Sequence, residues 1–105
     1  MIQYFNKENF DENIKLNTVV LVDFYADWCG PCKSLHPILE QTVEKIGNKA
    51  VVAKVNVDSN PELASRFGVR SIPALFYFKK GEVVHNTTGL VQSKEIVQKL
   101  EELVL

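Results

Sequence analysis

The chain has 105 residues, 46% of them hydrophobic and 24% charged, with a formal net charge of -1. That length fits a single domain over residues 1–105 and can bury a core without disulfide staples. The near-neutral charge, with no basic run, gives nucleic-acid binding no electrostatic support, and no apolar stretch is long enough to span a bilayer.

The opening Met1-Ile2-Gln3-Tyr4-Phe5-Asn6-Lys7 lacks the basic, apolar and small-residue succession of a secretory signal, so a cytoplasmic location is expected. Residues 2–5 are a candidate edge strand. A first helix is expected over about residues 7–15, capped by Asn6, with Phe10 and Ile14 on one face. Val19-Val20-Leu21-Val22-Asp23-Phe24-Tyr25-Ala26 is a nearly continuous apolar run and reads as a strand buried on both faces.

A second helix should follow, because Leu35, Ile38, Leu39, Val43 and Ile46 recur at helical spacing and Gly47 can end it. Pro37 lies inside this pattern, removes a backbone donor and should kink the helix. Val51-Val52-Ala53-Lys54-Val55-Asn56-Val57 is the next strand. Asn60 as cap and Pro61 at the first position begin a short helix that Gly68 closes. Residues 74–78 form a strand, and Lys80-Gly81 turns the chain into a hairpin through Val83 and Val84. The last helix begins near Ser93, with Ile96, Val97, Leu100, Leu103 and Val104 as its buried stripe. Strands separated by helices pair in parallel, whereas a hairpin pairs antiparallel. The fold class is therefore α/β, with a mixed central sheet of about five strands flanked by four helices.

Chemistry concentrates in Trp28-Cys29-Gly30-Pro31-Cys32-Lys33, between the buried strand and the second helix. A bridge between Cys29 and Cys32 would close a tiny loop, and such loops stabilise least, which argues against a structural staple. A C-x-x-C pair at this place reads as a redox motif. The free N–H groups and positive dipole end of the helix favour a thiolate at Cys29, and the thiolate is the species that attacks disulfides. Cys32, one turn further in, should be more shielded. Cys29 then attacks a target disulfide, and Cys32 resolves the mixed disulfide. Pro31 has no N–H, which limits the donors that can stabilise the Cys29 thiolate and should keep the pair reducing.

Asp23 and Lys54 each interrupt an apolar strand, and buried charges are rare unless paired. On adjacent parallel strands they can partner each other. A buried Asp23 should titrate high and accept the Cys32 proton, with Lys54 tuning it. The alternatives are a satisfied core carboxylate at Asp23 and a lysine that snorkels to solvent at Lys54. His36, four residues after Cys32, either tunes the pair or is a solvated surface histidine. Zinc usually takes four Cys or His ligands, and only His36 and His85 could join the cysteines, so neither metal nor bound cofactor is expected.

Over essentially its whole length the chain resembles the thioredoxin family. The resemblance rests on Val22-Asp23-Phe24, the Trp28–Lys33 motif, Pro37, Ala53-Lys54-Val55-Asn56-Val57-Asp58, Phe67-Gly68-Val69-Arg70-Ser71-Ile72-Pro73, Lys80-Gly81 and Gly89. It implies a thioredoxin fold, reduction of disulfides in client proteins, and recycling by an NADPH-dependent thioredoxin reductase, with the chain a monomer. It also implies that Pro73 is cis beside the cysteines. Trp28, Gly30, Pro31, Ile72, Pro73 and Gly89 would line an apolar docking surface, where Ile72 offers backbone hydrogen bonds to an extended segment. Gly89 has the alternative reading of a simple turn, and Trp28 that of packing. Tyr25 stands where many relatives carry Trp, Leu90 is bulkier than the usual small residue, and Ser34 replaces a common Met. Besides the reductase, an oxidase or isomerase on the same fold and a non-enzymatic binding module remain as competing functions.

Overall fold

The computed structural model describes residues 1–105. In chain order it runs β1 (Gln3–Tyr4), α1 (Phe10–Leu16), β2 (Val19–Tyr25), α2 (Gly30–Ile46), a 3-10 turn, β3 (Val51–Asn56), α3 (Pro61–Arg66), β4 (Ala74–Lys79), β5 (Glu82–Thr88) and α4 (Ser93–Val104). The five strands form one sheet in the order β1-β3-β2-β4-β5. β3 pairs in parallel with β1 and β2, while β4 pairs antiparallel with β2 and β5. This is the mixed sheet with four helices that the order of elements implies.

The alternation of side chains along a strand assigns the layers. Val20, Val22 and Phe24 of β2 point to one face and pack with Phe10 and Ile14 of α1, Leu63 of α3 and Phe78 of β4. Val19 and Leu21 point to the other, against Leu35, Leu39 and Ile46 of α2 and Ile96 and Leu100 of α4. β2 is thus central and covered twice, which is why its sequence shows no polar alternation. The same parity sends Asp23 of β2 and Lys54 of β3 toward the α2 side, and the register sets them directly opposite each other.

Local details differ from the sequence expectation at two places. The first helix is regular only from Phe10; residues 7–9 form a turn. Asn6 does cap this start: its Oδ1 accepts the Glu8 and Asn9 N–H groups, and Asn9 Oδ1 accepts the Asn6 N–H in return at 2.9 Å. Asn60 occupies the cap position of α3 without capping it. Its Oδ1 instead accepts the Lys7 N–H at 3.0 Å and ties the start of the chain to α3. α2 is one helical run through Pro37, where proline cannot donate toward Lys33.

The β4–β5 hairpin turns at Lys80 and Gly81, whose φ values of 53° and 83° are both left-handed. That is the two-residue turn whose twist suits a hairpin, and glycine adopts it without steric cost. β5 extends beyond Val83 and Val84 to Thr88 and forms an open edge.

Candidate functional site

β2 ends at Tyr25, and the chain turns through residues 26–29 into α2. Cys29 is the N-cap of α2, with Gly30 and Pro31 in its first turn. The Cys29 Sγ accepts the Cys32 N–H at 3.2 Å. A sulfur here occupies the place usually taken by a Ser or Asp oxygen, satisfying a backbone donor that the helix leaves free. Pro31 lies between, and its missing N–H leaves that sulfur one fewer donor. Cys29 and Cys32 are joined in a disulfide, with Cα atoms 5.3 Å apart. One turn of helix spaces the two residues within the range a disulfide spans.

Both cysteines are nearly enclosed, with Cys29 4% and Cys32 1% exposed. From its place at the helix end, Cys29 is expected to be clearly less shielded than Cys32. Burial of Cys29 arises from a distant segment: its Sγ lies 3.8 Å from the Ile72 carbonyl oxygen, and Ile72 and Val57 pack against the cysteine pair. Gly30, Pro31 and Trp28 remain exposed around the small opening. The Trp28 indole is 71% exposed and donates to Asp58 Oδ2 at 2.9 Å. The Ile72–Pro73 peptide bond is cis. Gly89, with φ 91°, donates its N–H to the Pro73 carbonyl at 2.8 Å. Ile72 therefore lies against Cys29, with Trp28 next to that cysteine in the chain and Gly89 tied to Pro73, although Pro73 itself is buried. A groove of about 570 Å³ leads away from them between Trp28, Ile72 and the α3 side chains Pro61 and Ala64.

Beneath α2, Asp23 has no exposed surface, and neither carboxylate oxygen has a protein hydrogen-bond partner. Burial pushes its pKa up to about 7, against a smaller opposing pull from Lys54. The direct Asp23–Lys54 partnership expected from their adjacency does not form. Lys54 Nζ instead lies 3.0 Å from His36 Nδ1 and 4.2 Å from the centre of the Tyr25 ring. Nor does Lys54 snorkel, being only 5% exposed, and burial holds its ammonium pKa below the ordinary value. His85 sits on β5 against Tyr77.

The thioredoxin family model matches residues 1–102. A thioredoxin from Chlorobaculum thiosulfatiphilum is 43% identical over 96 residues, covering 90% of this chain and 89% of its own. One from Staphylococcus haemolyticus is 45% identical over 94 residues, covering 90% and 89%. A mutant thioredoxin from Halobacterium salinarum NRC-1 superposes with a TM-score of 0.92 at 40% identity, covering 99% of this chain and 91% of that one.

The chain belongs to the thioredoxin family.

It is a thiol–disulfide oxidoreductase of that family, with the thioredoxin fold and a CGPC pair that closes to a disulfide. Two groups of this thioredoxin-family site escape the motif. Asp58 Oδ2 accepts the Trp28 indole N–H; the residue closes the Ala53–Asp58 segment that carries the family resemblance, but no sequence feature gives it a role. His36 engages Lys54, and the usable signal is its spacing of four from Cys32, which sets it on the same side of α2.

Proposed function

We propose that this thioredoxin-family chain reduces disulfides in client proteins, with Cys29 attacking and Cys32 resolving. The observation that carries the assignment is the Cys32 N–H directed at the Cys29 sulfur at the start of α2. A thiolate there gains a charge-assisted hydrogen bond and the positive end of the helix dipole, whereas Cys32 lies inside the helix without them.

In the reduced chain, the Cys29 thiolate attacks one sulfur of the client disulfide. A Cys29–client disulfide forms, and the other client sulfur leaves and takes up a proton. Asp23 then accepts the Cys32 proton; a carboxyl that titrates near 7 suits this at neutral pH. The Cys32 thiolate attacks Cys29 Sγ, the client's second sulfur leaves, and the Cys29–Cys32 disulfide is formed. Two electrons have passed from the dithiol to the client. A thioredoxin reductase returns them from NADPH. Lys54 tunes Asp23 by its charge, and Gly30 and Pro31 set the donors around Cys29.

Trp28, Ile72, Pro73 and Gly89 receive an extended client segment, with Ile72 offering main-chain hydrogen bonds beside the sulfur. The chain works as a monomeric single domain in the cytoplasm, where thiols are kept reduced; no helix is long and apolar enough to cross a membrane.

The test is coupled turnover with NADPH, a thioredoxin reductase and a disulfide-bonded protein. NADPH should be consumed by the unaltered chain and not by Cys29→Ser or Cys32→Ser. Function retained without either thiol would instead identify a binding module.

A further inference from the structure

His36 stands one turn beyond Cys32 on α2, half-buried, at the edge of a cleft of about 550 Å³ that also touches Cys32, Tyr25, Asp27, Lys33 and Lys54. Its Nδ1 lies 3.0 Å from Lys54 Nζ. An ammonium can only donate, so Nδ1 is assigned as the acceptor and the neutral ring carries its proton on Nε2. Nε2 faces Glu40 Oε2 at 3.8 Å. The imidazole is thus held between a cation from β3 and a carboxylate of its own helix.

Lys54 has a second potential partner. Asp23 is its register neighbour on β2, on the same face of the sheet, and both Asp23 oxygens lack a protein partner. Lysine has a flexible stem, and its ammonium can settle at either group. Asp27 and Glu40 also attract it, and the Tyr25 ring lies beneath it. Lys33 is the other cation at the cleft. Among these groups, His36 is the one that takes a hydrogen bond from the ammonium.

We propose that His36 is a positioning residue: by accepting the Lys54 hydrogen bond it anchors the ammonium at the cleft and keeps it from pairing with Asp23. Asp23 then remains a buried carboxyl without a contact partner and can hold a proton at neutral pH. The consequence for disulfide resolution rests on the reading of Asp23 as the proton acceptor for Cys32. The positional claim does not.

The experiment follows the Asp23 carboxyl through a pH titration of the full oxidised chain, by carbon-13 NMR, in the unaltered protein and in His36→Ala and His36→Asn. Alanine is the best helix former, so folding is not at risk. Asparagine places a carbonyl oxygen at the branch position of Nδ1, so it restores the acceptor without the ring. In His36→Ala the ammonium closes on Asp23, and the midpoint falls by about one unit or more, the usual effect of an opposite charge at contact distance. In His36→Asn the midpoint stays at that of the unaltered chain. Equal midpoints in all three chains, a rise in His36→Ala, or equal falls in both variants would overturn the proposal. Full turnover by an Asp23→Asn variant would sink the proton-acceptor reading alone and leave the titration to judge His36.

Discussion

Asp23→Asn separates the stability of this fold from its chemistry. The carboxyl has no exposed surface, and its pKa is raised from 3.8 to about 7, chiefly by burial. An acid with a raised folded pKa is protonated in the folded chain over a range where the unfolded chain has already lost its proton. Stability is then highest below the unfolded value, declines between roughly pH 4 and pH 7, and levels off above. Three units at about 1.4 kcal/mol each correspond to an upper bound of about 4 kcal/mol lost across that window. Asparagine has nearly the same shape and does not titrate. Its own amide hydrogen bonds add an offset independent of pH, so the pH-dependent part of the difference isolates the carboxyl. Denaturant unfolding of the oxidised chains at about pH 4 and about pH 9 should show the stability difference moving in favour of Asp23→Asn by about 2–4 kcal/mol as pH rises. A difference that stays flat with pH, or moves the other way, would refute the burial of Asp23 without a contact partner.

Other consequences follow from the same geometry. Pro31→His restores a backbone donor near the Cys29 sulfur, so equilibration with glutathione should give a less negative reduction potential by about 30 mV or more, a tenfold change in the exchange equilibrium. An unchanged or more negative potential would count against the role given to Pro31. Asp58→Ala frees the Trp28 indole from its 2.9 Å hydrogen bond. At about 1 kcal/mol for that bond, KM for a protein disulfide should rise about fivefold with kcat little changed. Leu39→Ala removes a side chain with no exposed surface from the layer between α2 and the sheet. Thermal or denaturant unfolding should register a loss of about 2–5 kcal/mol.

The fold was legible where local and global signals agreed. The apolar run of β2 announced a strand covered on both sides, the helical spacing of Leu35, Leu39 and Ile46 announced α2, and Lys80-Gly81 announced the hairpin. What stayed hidden depended on contacts between distant segments. Asn60 has the composition of a helix cap, yet its side chain is claimed by the Lys7 N–H, 53 positions away. The position of Cys29 at a helix start is legible locally, but its near enclosure comes from Ile72, 43 positions further on. Asp23 and Lys54 stood out as charges in apolar strands, and their alignment across β2 and β3 followed from parallel pairing. Which group the Lys54 stem would reach depended on how α2 lies across the sheet, and that brought His36 rather than Asp23 to its ammonium. Charge alone suggested the simpler pair. A rule that pairs opposite signs on neighbouring strands has no means of weighing a neutral acceptor arriving from a third element.

Unequal nucleophilicity of the two sulfurs is the point on which the catalytic account turns, and brief alkylation of the reduced chain measures it most directly. With substoichiometric iodoacetamide near neutral pH and peptide mapping by mass spectrometry, label should accumulate on Cys29 while Cys32 is spared. Preferential labelling of Cys32, or equal labelling of both, would contradict a thiolate stabilised at the start of α2.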